Sequence, residues 1–263
     1  MMNNITGMLE SLKLETMSQV YSALAIEAEK NKKSHTDYLQ ELASLEIEER
    51  RNKTIAKFLR RAKLPRDKLL QDFDITRIPN LSPSLIQNLQ QGDFIDRCDN
   101  LLIFGNPGTG KSHLAMSLTR EWCMQARKCV YISAASLVQQ LLIAKNKLDL
   151  NNFIKRLDKY EVLVIDDISY IPYEKEESDL LFILLSERYE QRSLVITSNL
   201  VFSKWNQIFQ DEMTTTAAID RLVHHATILE LNTESYRMNA AKLAKSHSHK
   251  STKKAEENDV KIT

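Results

Sequence analysis

Gly105-Asn106-Pro107-Gly108-Thr109-Gly110-Lys111-Ser112 satisfies the spacing G-x-x-x-x-G-K-[ST]. The apolar run Asn100-Leu-Leu-Ile-Phe104 in front of it reads as a buried strand. Behind it, His113 to Ala126 reads as a helix with Leu114, Leu118 and Trp122 on one side. Strand, glycine turn and helix form the context in which this motif cradles a triphosphate. The glycines let successive backbone N–H groups converge on phosphate oxygens, and the helix N-terminus adds its positive end. Gly105 to His113 is therefore the expected nucleotide-contacting stretch. Within it, Lys111 is expected to reach the β- and γ-phosphates and Ser112 to hold Mg²⁺.

Downstream runs extend the same chemistry. Val162-Leu-Val-Ile165 is a second apolar strand, and it delivers Asp166 and Asp167 at its end. Asp166 is expected to share Mg²⁺ with Ser112, and Asp167 to act as base or water-orienting carboxylate. Leu194-Val-Ile-Thr-Ser-Asn199 ends a third strand in a polar residue that could hydrogen-bond the attacking water or the γ-phosphate. Arg221 lies in a helical stretch beside Asp220 and within reach of Asp211. It reads either as a local ion pair or as a finger toward a neighbouring subunit's triphosphate, and on the residues alone the ion pair is the simpler reading. Strands are expected at 101–105, 129–133, 161–166, 194–198 and 227–231. Helices are expected at 112–126, 135–146, 151–158, 176–191 and 203–209. Their alternation implies right-handed crossovers and a mostly parallel sheet covered on both faces.

The chain divides into segments of different character. Residues 1–63 are nearly free of glycine and proline and carry apolar residues at helical spacing (Met8, Leu12, Leu14, Met17, Val20, Leu24 and Ile26, then Leu39, Leu42, Leu45 and Ile47). They read as a small all-helical domain whose second helix is capped at Ser34 or Thr36. Residues 64–84, punctuated by Pro65, Pro79 and Pro83, read as a linker that Phe73 and Ile75 could dock. The α/β domain is expected over 85–240, with a charged, disordered tail over 241–263.

Net charge is +1 over 263 residues, so the whole molecule is not a polycation. Between Arg50 and Lys68, however, nine Lys or Arg residues face one acid, Asp67. Arg50, Arg51, Lys53, Lys57, Arg60 and Arg61 form the candidate DNA-contacting set, suited to backbone phosphates. Cys98, Cys123 and Cys129 lack metal-ligand spacing, and no membrane span or secretory leader is legible, so a cytoplasmic location is expected.

The order of these motifs resembles the IstB family of ATP-binding helper proteins encoded by bacterial insertion sequences, kin to DnaC helicase loaders and DnaA-like AAA+ ATPases. The resemblance is carried by 93–115, 162–172, Ser186-Glu-Arg-Tyr189, Ile196-Thr-Ser-Asn199, Phe202-Ser-Lys-Trp205, Ala218-Ile-Asp-Arg-Leu222 and Glu234-Ser-Tyr-Arg237. It implies a five-stranded AAA+ sheet, ATP and Mg²⁺ as ligands, and a homo-oligomer with nucleotide at its subunit interfaces. It further implies binding of double-stranded DNA and service to a partner transposase, the alternative being a DnaC-like helicase loader. Under it Asn199 becomes the sensor of the γ-phosphate, Arg221 the trans-acting finger, and Arg237 a residue near the nucleotide. Two departures stand out. Asp167 occupies a position where many AAA+ enzymes have glutamate, one methylene longer, which predicts slow hydrolysis. Asn232-Thr233 replaces a glycine common in relatives, and little chain follows Arg237 to build a helical lid.

Overall fold

A computed structural model describes residues 5–79, 81–169, 173–233 and 235. The chain forms two compact units, residues 1–60 and 61–263.

The first unit contains α1 (Ile5–Ser11), α2 (Glu15–Lys30) and α3 (His35–Ala62) up to Arg60. Ser34 starts α3 with a reciprocal cap: its Oγ accepts from the Asp37 N–H at 3.1 Å, and the Asp37 carboxylate accepts from the Ser34 hydroxyl at 2.7 Å. The unit's keystone is Glu46, 4% exposed. Its Oε2 accepts the N–H groups of Thr16 and Met17 at 2.8 and 3.0 Å, two of the donors that the first turn of α2 leaves without a helical partner. Arg50 closes the arrangement, pairing with Glu46 Oε1 at 2.7 Å and donating to the Lys13 carbonyl. Several apolar residues whose spacing predicts a core are instead exposed, among them Met8, Leu12, Ile26, Leu39 and Ile47. Three helices have too few facing surfaces to bury every apolar position, and Ala28 and Leu42 are the buried hydrophobic residues among those described.

The second unit opens with single 3-10 turns at Leu70–Asp72 and Ile75–Arg77. There follow α4 (Pro83–Gln91), α5 (Asp93–Asp96), β1 (Asn100–Phe104), α6 (Lys111–Met124), β2 (Cys129–Ser133), α7 (Ala134–Asn146) and α8 (Leu150–Leu157). β3 (Val162–Asp166), α9 (Lys175–Arg188), β4 (Ser193–Ser198), α10 (Asn206–Phe209), α11 (Glu212–Val223) and β5 (Ala226–Glu230) complete it. Proline at the first position of α4 suits a turn whose N–H groups need no helical partner, and Ser82 Oγ accepts from the Leu85 N–H.

The strands form one sheet in the order β2-β3-β4-β1-β5, every pairing parallel. β1, β3 and β4 are buried at every position, which explains their unbroken apolar runs, while the edge strands β2 and β5 are only partly covered. Leu102, Phe104, Leu163, Ile165, Leu194 and Ile196 face a core shared with α7, α9, α10 and α11. The alternate residues Leu101, Ile103, Val164 and Val195 point to the other face, where Leu114, Leu118 and Trp122 of α6 are fully buried.

A buried arginine locks the sheet's far end. Arg188 is 0% exposed and donates to the carbonyls of Leu157, Tyr160 and Ser193 at 3.0 to 3.1 Å. Burial lowers its pKa to about 10, so it stays charged at neutral pH beside Asp158 at 3.5 Å.

Candidate functional site

Residues 105–110 close a tight loop between β1 and α6, whose first two residues are Lys111 and Ser112. Gly105, Gly108 and Gly110 all have positive φ (154°, 84° and 99°). A Cβ on Gly105 would stand 2.7 Å from the Leu231 carbonyl oxygen, and one on Gly108 would collide with Ser235. The segment after β5 thus passes directly over the loop. Arg237, two residues beyond Ser235, lies outside the described residues, as do residues 241–263. Lys111 is 4% exposed and its ammonium donates to the carbonyls of Gly105 and Asn106 at 2.8 and 3.0 Å, curled inside the loop it is meant to serve. Thr109 Oγ1 donates to the Asn106 carbonyl at 2.9 Å, while Asn106 and Pro107 form the exposed tip.

Residues before α4 form a strap against the start of α6. His113 Nε2 lies 3.0 Å from the Leu69 carbonyl, and the Phe73 ring meets the His113 ring edge-on with centroids 5.6 Å apart. Phe73 is buried and Ile75 half-buried.

The strand order brings the other residues to this edge. β4 lies between β1 and β3, so Asn199, just past β4, sits between the loop after β1 and the carboxylates after β3. Strands are about 4.8 Å apart, which separates those two ends by roughly 10 Å, room for a triphosphate and its cation. Asp166, 8% exposed, accepts from Thr197 Oγ1 at 2.6 Å. The same hydroxyl accepts from the Asp167 N–H at 2.8 Å. Asp167 takes a left-handed backbone (φ 56°), which turns the chain sharply after the strand. The Asn199 N–H donates to Ser169 Oγ at 2.9 Å, but its side-chain Oδ1 is buried without a hydrogen-bond partner.

Two residues here escaped the sequence reading. Thr197 looks like any strand threonine until β4 is set beside β3. Tyr131, on β2, has a buried hydroxyl with no hydrogen-bond partner. Burial, and then the neighbouring Asp166 carboxylate, push its phenol well up, so it stays a neutral donor. Orphaned buried groups at Tyr131 and Asn199, with the oxygen donors Asp166 and Ser112, suit a phosphate-bound hard cation such as Mg²⁺.

Arg221 is absent from this edge. It stands in the last turn of α11, just before β5 begins, at the opposite end of a five-residue strand that spans about 16 Å. Its guanidinium donates to the Ala217 carbonyl at 3.0 Å and lies 5.1 Å from the centre of the Phe182 ring. Neither Asp220 nor Asp211 pairs with it among the described residues. Asp211 instead caps α11, accepting from the Thr214 N–H at 2.8 Å.

In the helical unit, Arg50, Lys53, Lys57 and Arg60 fall within an arc of about 80° on α3, with Arg51 roughly 100° from Arg50. Arg50 is engaged by Glu46 and Lys53 by Glu15 (2.7 Å each). Arg51, Lys57, Arg60 and Arg61 are exposed.

Five parallel strands in this order, with a phosphate loop after β1, carboxylates after β3 and a polar residue after β4, define an AAA+ P-loop nucleoside-triphosphatase fold. Solved structures share it: DnaA of Aquifex aeolicus bound to AMPPCP (TM-score 0.54, 18% identity, 64% of this chain and 51% of that one), and the DnaC helicase loader (0.52, 16%, 63% and 97%). Residues 7–244 match the family described as IstB-like ATP binding protein, and the chain belongs to that family. Among its relatives, a Sinorhizobium fredii protein named for an insertion sequence and ATP binding is 38% identical over 91% of this chain and 81% of its own length. The corresponding IS21 protein of Pseudomonas aeruginosa is 32% identical over 90% and 89%.

Proposed function

We propose that this protein binds and slowly hydrolyses ATP, assembles on double-stranded DNA in its ATP-bound form, and presents that DNA to a partner transposase. Family membership and relatives named for insertion sequences support the setting. The observation that carries the reading is the division of the sheet: the phosphate loop, Asp166 and Asn199 share one edge, and Arg221 stands at the other.

In this reading the loop amides and Lys111 neutralise the triphosphate, Lys111 exchanging the carbonyls of Gly105 and Asn106 for phosphate oxygens. Ser112 and Asp166 would hold Mg²⁺, which would neutralise charge on the triphosphate. Asp167 accepts the proton of the attacking water, and Asn199 fixes that water with its free Oδ1. Arg221 completes the site of an adjacent subunit, a role that contributes about 10³–10⁵ in rate in other NTPases. Aspartate at 167 reaches less far than glutamate, so turnover is slow and assembly outlasts it.

Lys111→Ala tests the core of this reading. ATP should enlarge the wild-type oligomer and tighten its hold on duplex DNA, and the variant should lose both responses. Sedimentation and DNA binding that remain ATP-dependent in the variant would rule out nucleotide-gated assembly. The alternative is a helicase loader of the DnaC kind. The fold is common to both, so the partner decides: capture of a hexameric helicase rather than the transposase would favour the loader.

The exposed cations Arg51, Lys57 and Arg61 are the proposed phosphate-binding groups. Reversing all three should weaken DNA binding and flatten its dependence on salt, by about 0.9 in log–log slope for each phosphate no longer neutralised. An unchanged slope removes these cations from the DNA path.

A further inference from the structure

At the edge of the sheet remote from the phosphate loop, three ligand-type side chains converge from two elements. Glu190 follows α9, and His224 and His225 link α11 to β5. Glu190 Oε1 lies 3.8 Å from both His224 Nδ1 and His225 Nε2, and all three ligand atoms fall within 4.8 Å of one another. The two imidazoles pack against each other with centroids 4.1 Å apart, and Glu190 has a left-handed backbone (φ 57°) that turns it toward them. The side chains are exposed, and a cavity of about 300 Å³ beside them is also lined by Arg221, Tyr189 and Cys98.

Two imidazoles and one carboxylate suit a zinc-class ion better than Mg²⁺ or Ca²⁺, which prefer all-oxygen sets. Metal–ligand bonds of 2.0–2.2 Å in a tetrahedron place ligand atoms about 3.4 Å apart. The observed 3.8 Å separations are within a few tenths of an ångström of that. Tyr189 borders the same cluster. Its hydroxyl lies 2.7 Å from His224 Nδ1. With Tyr189 donating, the phenol occupies the Nδ1 lone pair, so a metal binding there displaces this hydrogen bond. When the metal takes that lone pair, the phenol can donate to the Glu190 carboxylate instead.

We propose that Glu190, His224 and His225 form a binding site for one divalent transition-metal ion, with Zn²⁺ as its natural class of ligand and solvent as fourth ligand. The ion would add positive charge beside Arg221. If Arg221 serves a neighbouring subunit, as proposed above, the metal also regulates that contact. The site itself does not depend on that role.

Chelator-treated full-length protein should bind one equivalent of Zn²⁺ by calorimetry, in the presence of excess Mg²⁺, and give the visible spectrum of four-coordinate Co²⁺. Glu190→Gln and His224→Ala should each weaken binding by more than 10-fold. The sequence holds one other close histidine pair, His247 and His249, outside the described residues. A His247→Ala/His249→Ala double variant should bind as the wild type does, while circular dichroism and ATP binding report that each variant is folded. No stoichiometric binding, binding unaffected by Glu190→Gln and His224→Ala, or loss of the equivalent in the His247/His249 variant would each overturn the proposal. Metal binding without any effect on turnover would leave the site standing and count against Arg221 as a trans finger.

Discussion

The hydroxyl of Thr197 bridges the two acidic residues of the proposed site, donating to the Asp166 carboxylate and accepting from the Asp167 backbone. It touches neither phosphate nor water in the proposed reaction, so it is a positioning residue. One Asp166 oxygen is thereby fixed, and the strained turn at Asp167 is held in register. Thr197→Val preserves shape and removes both bonds. We expect the Mg²⁺ concentration for half-maximal turnover to rise about 10–100-fold, the usual cost of losing an outer-shell partner of a metal ligand. Nucleotide affinity measured without Mg²⁺ should stay put. If Thr197→Val instead lowers the unfolding midpoint and leaves the Mg²⁺ response unchanged, the threonine serves the sheet and not the site.

Glu46 shows how one side chain on one helix can organise the start of another. Desolvation works to raise its pKa, but the Met17 N–H, the Arg50 guanidinium and the Thr16 N–H outweigh it and hold the carboxyl below its ordinary value. A carboxyl depressed in the folded unit binds its proton more readily when unfolded. Its contribution is therefore present above the unfolded value, near pH 4.3, and is lost as pH falls through the lower folded one. Glu46→Ala should cost about 1–3 kcal/mol by stranding the two amides. Hydrogen exchange at Thr16 and Met17 should accelerate, and acid should then loosen α2 less than in the wild type. Unchanged exchange at those amides would show that α2 does not depend on this cap. None of this is legible in the sequence, because Glu46 sits in a run of acids that reads as solvated surface. The strands and helices α6 to α8, by contrast, are legible to within a residue or two of their ends, whereas α4, α5 and α11 carry no expected bounds and the helix expected at 203–209 is a 3-10 turn followed by the short α10. Val162–Ile165 and Leu101–Phe104 are buried on both faces, and such strands have to be apolar throughout. Thr197 and Tyr131 are illegible for a topological reason: each matters only because β2, β3 and β4 lie side by side, and a single sequence does not print strand order. Arg188 falls inside a family motif, yet nothing local marks it as fully buried.

In the molecule as a whole, Arg221 cannot serve its own phosphate loop across the length of a strand. The proposed trans role therefore makes a sharp demand of mixtures. Lys111→Ala retains the finger and Arg221→Ala retains the loop. Each should be inactive alone, and an equimolar mixture should regain part of the wild-type turnover wherever an intact loop meets an intact finger. No recovery, with Arg221→Ala still assembling normally, would return Arg221 to a structural role. The separation of loop and finger has one more consequence. A protein that offers one surface and receives a different one is heterologous in its contacts, so adding a subunit always leaves another surface open. Pairing cannot exhaust such contacts as a two-fold dimer does. If Arg221 acts in trans on DNA as proposed, growth would stop only when a ring closes or the DNA runs out, and the length of the polymer would become a quantity that nucleotide turnover can measure.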